Sequence, residues 1–251
     1  MTKILVSNDD GIYSPGIRAL ANAMTALGEV WLVAPDIEQS AVGHGITVRR
    51  PLRFRKTNVP NLESGIKAFR VDGTPADCVV LGVHSLGRPD LVVSGINFGP
   101  NLGYDLTHSG TFAVAMEGTH LEIPSIAFSL QFSDEMDFSF AASYAPKLAA
   151  KVLEHGLPAR TVLNVNFPTG KPKGLRVTTQ GTHLYEDAVH ERKDPNGQPY
   201  FWVAGTSRGD LEPDSDFTAV AQNFVSVTPV LLDFTHRGFL ETVKGFVPNL
   251  E

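Results

Sequence analysis

The segment from Lys3 to Pro35 constrains the fold most. Ile4-Leu5-Val6 is an apolar run of the kind that fills a strand buried on both faces. Ser14-Pro15-Gly16 reads as a helix start, with Ser14 as cap and Pro15 at the first helical position. Ile17, Leu20, Ala21, Met24 and Leu27 then recur at helical spacing, and Gly28 reads as the stop. Val30-Trp31-Leu32-Val33-Ala34-Pro35 is a second apolar run, closed by proline. Strand, helix and strand within ~30 residues make a βαβ unit, and such a crossover joins parallel strands.

The alternation continues. Residues 36–61 are loop-rich, with room for a β excursion. Ala68–Val71 reads as a short strand, and Thr74-Pro75-Ala76-Asp77 opens a helix to about Leu86. Asp90–Ser94, Ser125–Ser129 and Thr161–Phe167 are strand-like. Helices are expected over 109–120 and 138–155, the second with Pro146 as a break or kink. Beyond residue 175 the pattern changes. Asn196-Gly197 lies between the strand-like flanks His183–Glu191 and Pro199–Ala204 and predicts a hairpin. Asp214-Ser215-Asp216 opens a short helix through Asn223, before a strand at 224–232. The expected fold is therefore α/β: a three-layer, doubly wound, mostly parallel sheet of Rossmann-like type. Residues 1–175 form its core, and residues 176–251 a β-rich C-terminal extension.

Composition narrows the function classes. The 251 residues are 42% apolar and 19% charged, which suits a globular chain with a large core. A net charge of -6 and the lack of a basic stripe argue against a nucleic-acid polymer as partner. Cys78 is the single cysteine, so no internal disulfide forms, and its apolar setting predicts a buried thiol. No secretory signal and no apolar run of ~18–20 residues is present, so no membrane contact and a cytoplasmic location are expected.

In an open α/β sheet, ligands gather beyond the carboxyl ends of the strands. Three oxygen-rich loops fall there: Asn8-Asp9-Asp10-Gly11, Asp36 to Ser40, and Gly95 to Gly103 with Asn97 and Asn101. Adjacent Asp9 and Asp10 can meet one partner only if the chain turns at once, which Gly11 permits. Close carboxylates repel unless one is protonated or a cation lies between them. Residues 7–16 hold no Lys or Arg, which favours a hard ion such as Mg²⁺ or Mn²⁺. A solvated Asp-Asp-Gly turn is the plain alternative. Ser109-Gly110-Thr111 opens a helix and offers free N–H groups to a phosphate, or simply caps that helix. His44 could line the pocket and His108 precedes the anion site; a structural role for either is equally compatible. Dinucleotide, P-loop, serine-elbow and HExxH signatures are absent, as is the strand-end D-x-D of aspartate-nucleophile phosphatases.

These residues resemble the SurE family, the survival-protein-E nucleotidases. The matching pieces are Ile4 to Gly11, Ala34-Pro35-Asp36 with Glu38-Gln39-Ser40, Gly43-His44 with Ile46-Thr47, and Arg70-Val71 through Gly73 to Val79. They continue with Asp90 to Asn97, Gly99 to Gly103, Ser109-Gly110-Thr111 with Ala113 and Ala115, and Leu163 to Pro168. The resemblance implies a divalent-metal-dependent phosphatase of nucleoside 5′- and 3′-monophosphates, with some activity on short polyphosphate. By matching position, Asp9, Asp10, Ser40 and Asn97 would ligate one cation per subunit, Mg²⁺ or Mn²⁺. Asn101, Ser109, Gly110 and Thr111 would contact phosphate, and Asp10, Asp9 and Asn101 would carry the catalytic roles. Direct attack by water is expected, with Asp10, or less favourably Asp9, orienting or deprotonating it; an aspartyl-phosphate route is the rival. The family also implies a homodimer or homotetramer built through the C-terminal hairpin. Ile37 and Phe112 stand where a basic residue and a smaller Val are common. A nucleotide sensor without turnover is the alternative from another class.

Overall fold

The computed structural model describes residues 1–182, 184–208 and 212–247. The strands are β1 (Lys3–Ser7), β2 (Glu29–Pro35), β3 (Phe54–Lys56), β4 (Lys67–Val71), β5 (Leu91–Phe98), β6 (Ser125–Leu130), β7 (Thr161–Phe167), β8 (Leu175–Val177), β9 (Leu184–Lys193), β10 (Pro199–Arg208) and β11 (Val225–Leu231). The helices are α1 (Pro15–Met24), α2 (Pro75–Leu86), α3 (Gly110–His120), α4 (Ser139–His155), α5 (Asp216–Ala221) and α6 (Leu240–Lys244).

A nine-stranded sheet runs β3-β4-β2-β1-β5-β6-β7-β11-β8. From β4 through β7 every neighbour is parallel. The chain first winds from β1 outward to β4, then returns to the middle and winds the other way from β5 to β7. The order therefore reverses between β1 and β5, where a doubly wound sheet opens its crevice. Side-chain alternation in the central strands fills both faces. Ile4 and Val6 pack with Ile17, Leu20 and Met24 of α1 and Ala141, Ala145 and Ala149 of α4. Leu5, Val33 and Val92 face the other way, onto Cys78 and Val79 of α2 and Val114 of α3. The three layers expected from the sequence are present, and Cys78 is buried as expected.

Local chemistry explains most element boundaries. Ser14 caps α1 by accepting from the Ile17 N–H, with Pro15 in the first turn. Thr74 and Asp77 form a reciprocal capping box at α2. Pro146 lies inside α4, which nonetheless runs as one helix from Ser139 to His155. The expected stop at Gly28 is corrected: α1 ends at Met24, and Thr25 donates its N–H into the last turn. Gly28 serves a close approach instead, since a Cβ there would lie 2.1 Å from the Thr2 carbonyl oxygen.

The sheet also crosses the sequence boundary at residue 175. β11 pairs antiparallel with β7, and β8 pairs parallel with β11, so both belong to the main sheet. Among the described residues, only β9 and β10 stand apart, as a two-stranded antiparallel sheet. Residue 183, the first of the expected hairpin flank, lies outside the described residues. The turn spans residues 194–198 rather than Asn196-Gly197 alone. The Asp194 carboxylate organises it, accepting from the Asn196 and Gln198 N–H groups at 2.8 and 2.9 Å. Among the described residues, no helix is long and apolar enough to cross a membrane.

Candidate active site

The loops beyond β1 and β5 meet at the crevice. After Ser7 the chain turns immediately: Asn8 Nδ2 donates to the Gly11 carbonyl and to Ser14 Oγ, at 3.2 and 2.9 Å. Gly11 takes a φ of 92°, a region that suits glycine. Asp9 and Asp10 thus leave the strand direction where the adjacent-residue rule no longer separates them. On β5 the register against β6 shifts between Ser94 and Asn97. Such an irregularity re-aims the side chain beyond it. Gly95 is required there, because a Cβ would come within 2.1 Å of the Phe128 carbonyl oxygen.

A cleft of about 840 Å³ follows, lined by Asp9, Ser40, Asn97, Asn101 and Ser109 among others. Asp9 is buried. Its Oδ1 accepts from Thr111 Oγ1, whose side chain is fully buried. Burial raises the Asp9 pKa, against hydrogen bonds from Thr111 and from the backbone of Asp9, Thr111 and Gly110. Asp10 accepts from the Phe98 N–H at 3.3 Å. Its carboxyl is pushed up to about 7, first by burial and then by the charges of Asp9 and Glu38, against the Phe98 bond. Ser40 Oγ donates to Glu38 Oε1 at 2.6 Å, and the Asn97 amide donates to the Gly99 carbonyl at 2.9 Å.

Asn101 is the most firmly held of the set. Its N–H donates to Asn166 Oδ1 at 2.8 Å, and its carbonyl accepts from Nδ2 of Asn164 and Asn166, each at 2.9 Å. Its side-chain amide donates to Ser129 Oγ at 2.8 Å. Ser109 Oγ caps α3 through the Phe112 N–H at 2.9 Å. At the cleft mouth Phe98 and Phe132 meet edge to face with centroids 5.1 Å apart, and both are about half exposed. Tyr104 and, from β10, Val203 and Gly205 complete that rim.

Residues 4–187 match the family model described as "Survival protein SurE". The chain belongs to the SurE family. It is 64% identical over 249 residues to "5'-nucleotidase SurE 1" of Thermus thermophilus, covering 99% of each chain. It is 56% identical to "5'-nucleotidase SurE" of Deinococcus radiodurans, covering 99% of this chain and 94% of that one. A crystal structure of the SurE protein from Aquifex aeolicus superposes with a TM-score of 0.84 at 43% identity, covering 97% of this chain and 99% of that one.

In this SurE-family chain, five of the residues singled out from sequence line one cleft: Asp9, Ser40, Asn97, Asn101 and Ser109. Asp10, Gly110 and Thr111 lie outside that lining, with Thr111 and the start of α3 turned to Asp9. The donor set fits a hard divalent cation: Asp9, Ser40 and Asn97 bring a carboxylate, a hydroxyl and an amide to the lining, Asp10 adds a second carboxylate beside them against the Phe98 N–H, and no Lys or Arg is among the described lining residues to neutralise the acids. Ile37 is exposed and Phe112 buried, and neither lines the cleft. His108 lines it, whereas His44 does not; its Nε2 lies 2.8 Å from Glu117 Oε2. Sequence reading missed Glu117 and His120, which with His44 bring three ligand atoms within 4.8 Å of one another. Their i, i+3 spacing at the end of a helix was the available signal. It also missed the aromatic rim, because Phe98 ends β5 while Phe132 lies in the loop after β6.

Proposed function

We propose that this chain hydrolyses nucleoside 5′- and 3′-monophosphates to nucleoside and phosphate, using one divalent cation, Mg²⁺ or Mn²⁺, per subunit. Short polyphosphate is a further substrate. The carrying observation is that Asp9, Ser40 and Asn97 share one cleft with Asn101 and Ser109, beside a carboxyl held at about 7. The SurE relatives are named 5'-nucleotidases, and these residues are suited to phosphomonoester hydrolysis.

Asp9, Asp10, Ser40 and Asn97 would hold the cation, which when bound supplies charge neutralisation for the phosphoryl group and lowers the pKa of water. Thr111 orients Asp9 from behind. Asp10, the more exposed carboxylate, orients or deprotonates the attacking water. Asn101 presents an amide whose position is fixed by Ser129, Asn164 and Asn166, so it stabilises charge developing on the phosphoryl oxygens without reorganising. Ser109 and the amino end of α3 add partial positive charge on the same side. Phe98 and Phe132 offer a stacking surface to a base, and stacking tolerates different bases. The subunits associate through the C-terminal hairpin as a homodimer or homotetramer, and the location is cytoplasmic.

The test is a panel of nucleoside 5′- and 3′-monophosphates with an aryl phosphate, assayed with Mg²⁺ or Mn²⁺. Phosphate release that a chelator stops and that Asp10→Asn abolishes is expected. Tight nucleotide binding without release under every metal would instead identify a sensor.

A further inference from the structure

We infer that His44, Glu117 and His120 form a second metal site, separate from the oxygen-rich cleft and selective for a borderline ion such as Zn²⁺. The ligand atoms of all three lie within 4.8 Å of one another. None of the three lines the cleft. Glu117 and His120 occupy the last turn of α3, and the i, i+3 spacing puts them on one face. The Glu-x-x-His pair on one helix is a recurrent way to present two ligands to an ion. Glu117 lies about 10 Å along the helix from Gly110, at the opposite end of α3 from the phosphate side.

His44 supplies the third ligand from a well-fixed loop. The Gly43 N–H donates to the His108 carbonyl at 2.9 Å. Thr74 Oγ1 donates to the Gly45 carbonyl at 2.7 Å, and the Thr47 N–H donates to Asp77 Oδ1 at 2.9 Å. The ring is therefore held on either side by backbone bonds, and it already meets Glu117 Oε2 at 2.8 Å. The His44 and His120 rings lie 5.2 Å apart and tilted by 42°. Tetrahedral coordination at ~2.0–2.2 Å brings ligand atoms to roughly 3.4 Å, so a rotamer change of exposed His120 closes the set. A carboxylate in the last helical turn also faces the negative end of the helix dipole, and a cation there offsets both charges.

The ligand chemistry sets this site apart from the first. Two imidazoles and one carboxylate favour zinc, cobalt or nickel, whereas carboxylate, hydroxyl and amide oxygens favour magnesium or manganese. Three protein ligands leave a coordination position for water. An ion here would tie the end of α3 to the loop that begins at Ser40 and Ala41 on the cleft rim.

The deciding experiment strips the full chain of metal and titrates it with Zn²⁺, and separately with Co²⁺, in a large excess of Mg²⁺ that occupies the oxygen-rich cleft. One equivalent of Zn²⁺ is expected to bind, with Co²⁺ giving the visible absorption of a nitrogen-containing tetrahedral site. His120→Gln, an exposed position that leaves the fold intact, and Glu117→Gln should each weaken Zn²⁺ binding more than about 10-fold and erase the Co²⁺ bands. Asp10→Asn should leave both unchanged. Zn²⁺ binding that survives the two α3 variants, or that vanishes in Asp10→Asn, overturns the assignment, as does the absence of any Zn²⁺ equivalent in the unaltered chain.

Discussion

At the residue scale, the two adjacent acids dominate. Among the described residues neither Asp9 nor Asp10 gains a basic partner, and burial is the leading cause of both raised pKa values. For Asp10 the sign is clear. Its folded value is raised from 3.8 to about 7, so the folded chain keeps a proton that the unfolded chain releases. Below pH 3.8 both states are protonated and the group is neutral to stability. As pH rises through the window to about 7, the metal-free folded state loses stability, and above it the loss is complete. Thermal unfolding in chelator should therefore find Asp10→Asn equal to the unaltered chain near pH 4 and more stable by up to about 4 kcal/mol at pH 8. Saturating Mn²⁺ should reverse the order at pH 8, because the variant has lost a charged ligand. Identical pH profiles for the two chains would refute this account of Asp10.

Thr111 carries the second residue-scale prediction. Its hydroxyl donates to Asp9 Oδ1 within a fully buried contact. Thr111→Val keeps the shape and removes the donor, leaving Asp9 less well oriented. Mn²⁺ affinity, read by calorimetry, should fall roughly 10-fold while the far-ultraviolet circular dichroism stays the same. The residue types of this site were legible because strand-end position, turn glycine and like charges coincide in one short stretch. The Asp9–Thr111 contact was not, since 102 residues separate the partners and a Ser-Gly-Thr helix start reads equally well as a phosphate cradle.

At the element scale, α3 does a job that a helical pattern does not announce. Its amino end packs directly on Asp9: a Cβ at Gly110 would lie 2.7 Å from Asp9 Cβ and 2.8 Å from Oδ2. Gly110→Ala must push the carboxylate aside. The expected loss is about 100-fold in kcat, as a displacement near 1 Å costs in a positioned site. Stability should fall by about 1–3 kcal/mol through overpacking. Steady-state kinetics and thermal unfolding check the two effects separately; unchanged kcat would show that Asp9 can move without consequence. α3 itself was legible from its Ser cap and small-residue run. So were α1, α2 and the parallel strands, whose caps and apolar runs are local signals. The end of α1 was misread because Gly28 looks like a stop, whereas its need arises from Thr2, a contact outside the helix.

At the scale of the whole molecule, the hairpin of β9 and β10 is the part least explained by one subunit. It stands outside the nine-stranded sheet, and a two-stranded ribbon alone is marginal in water. Among its described residues, exposed apolar side chains stand beside the exposed polar run His190 to Lys193. Val189, Tyr200, Phe201, Trp202 and Val203 are all exposed, and consecutive positions face opposite sides of the ribbon. Both faces therefore carry apolar surface, more than a lone chain leaves to water. Local turn chemistry revealed the hairpin in the sequence, yet the return of β11 to pair with β7 was hidden, because strand order depends on contacts across the fold. The proposed second subunit would cover the ribbon and remove the exposure. Replacing Phe201 and Trp202 with Ser should then shift the species seen by sedimentation to the monomer. The main sheet should survive, since neither residue belongs to it. Activity should drop less than assembly does if Val203 and Gly205 of the same chain still close the cleft rim. An unaltered chain that sediments as a monomer, or a doubly substituted one that stays fully associated, would remove the hairpin from the interface.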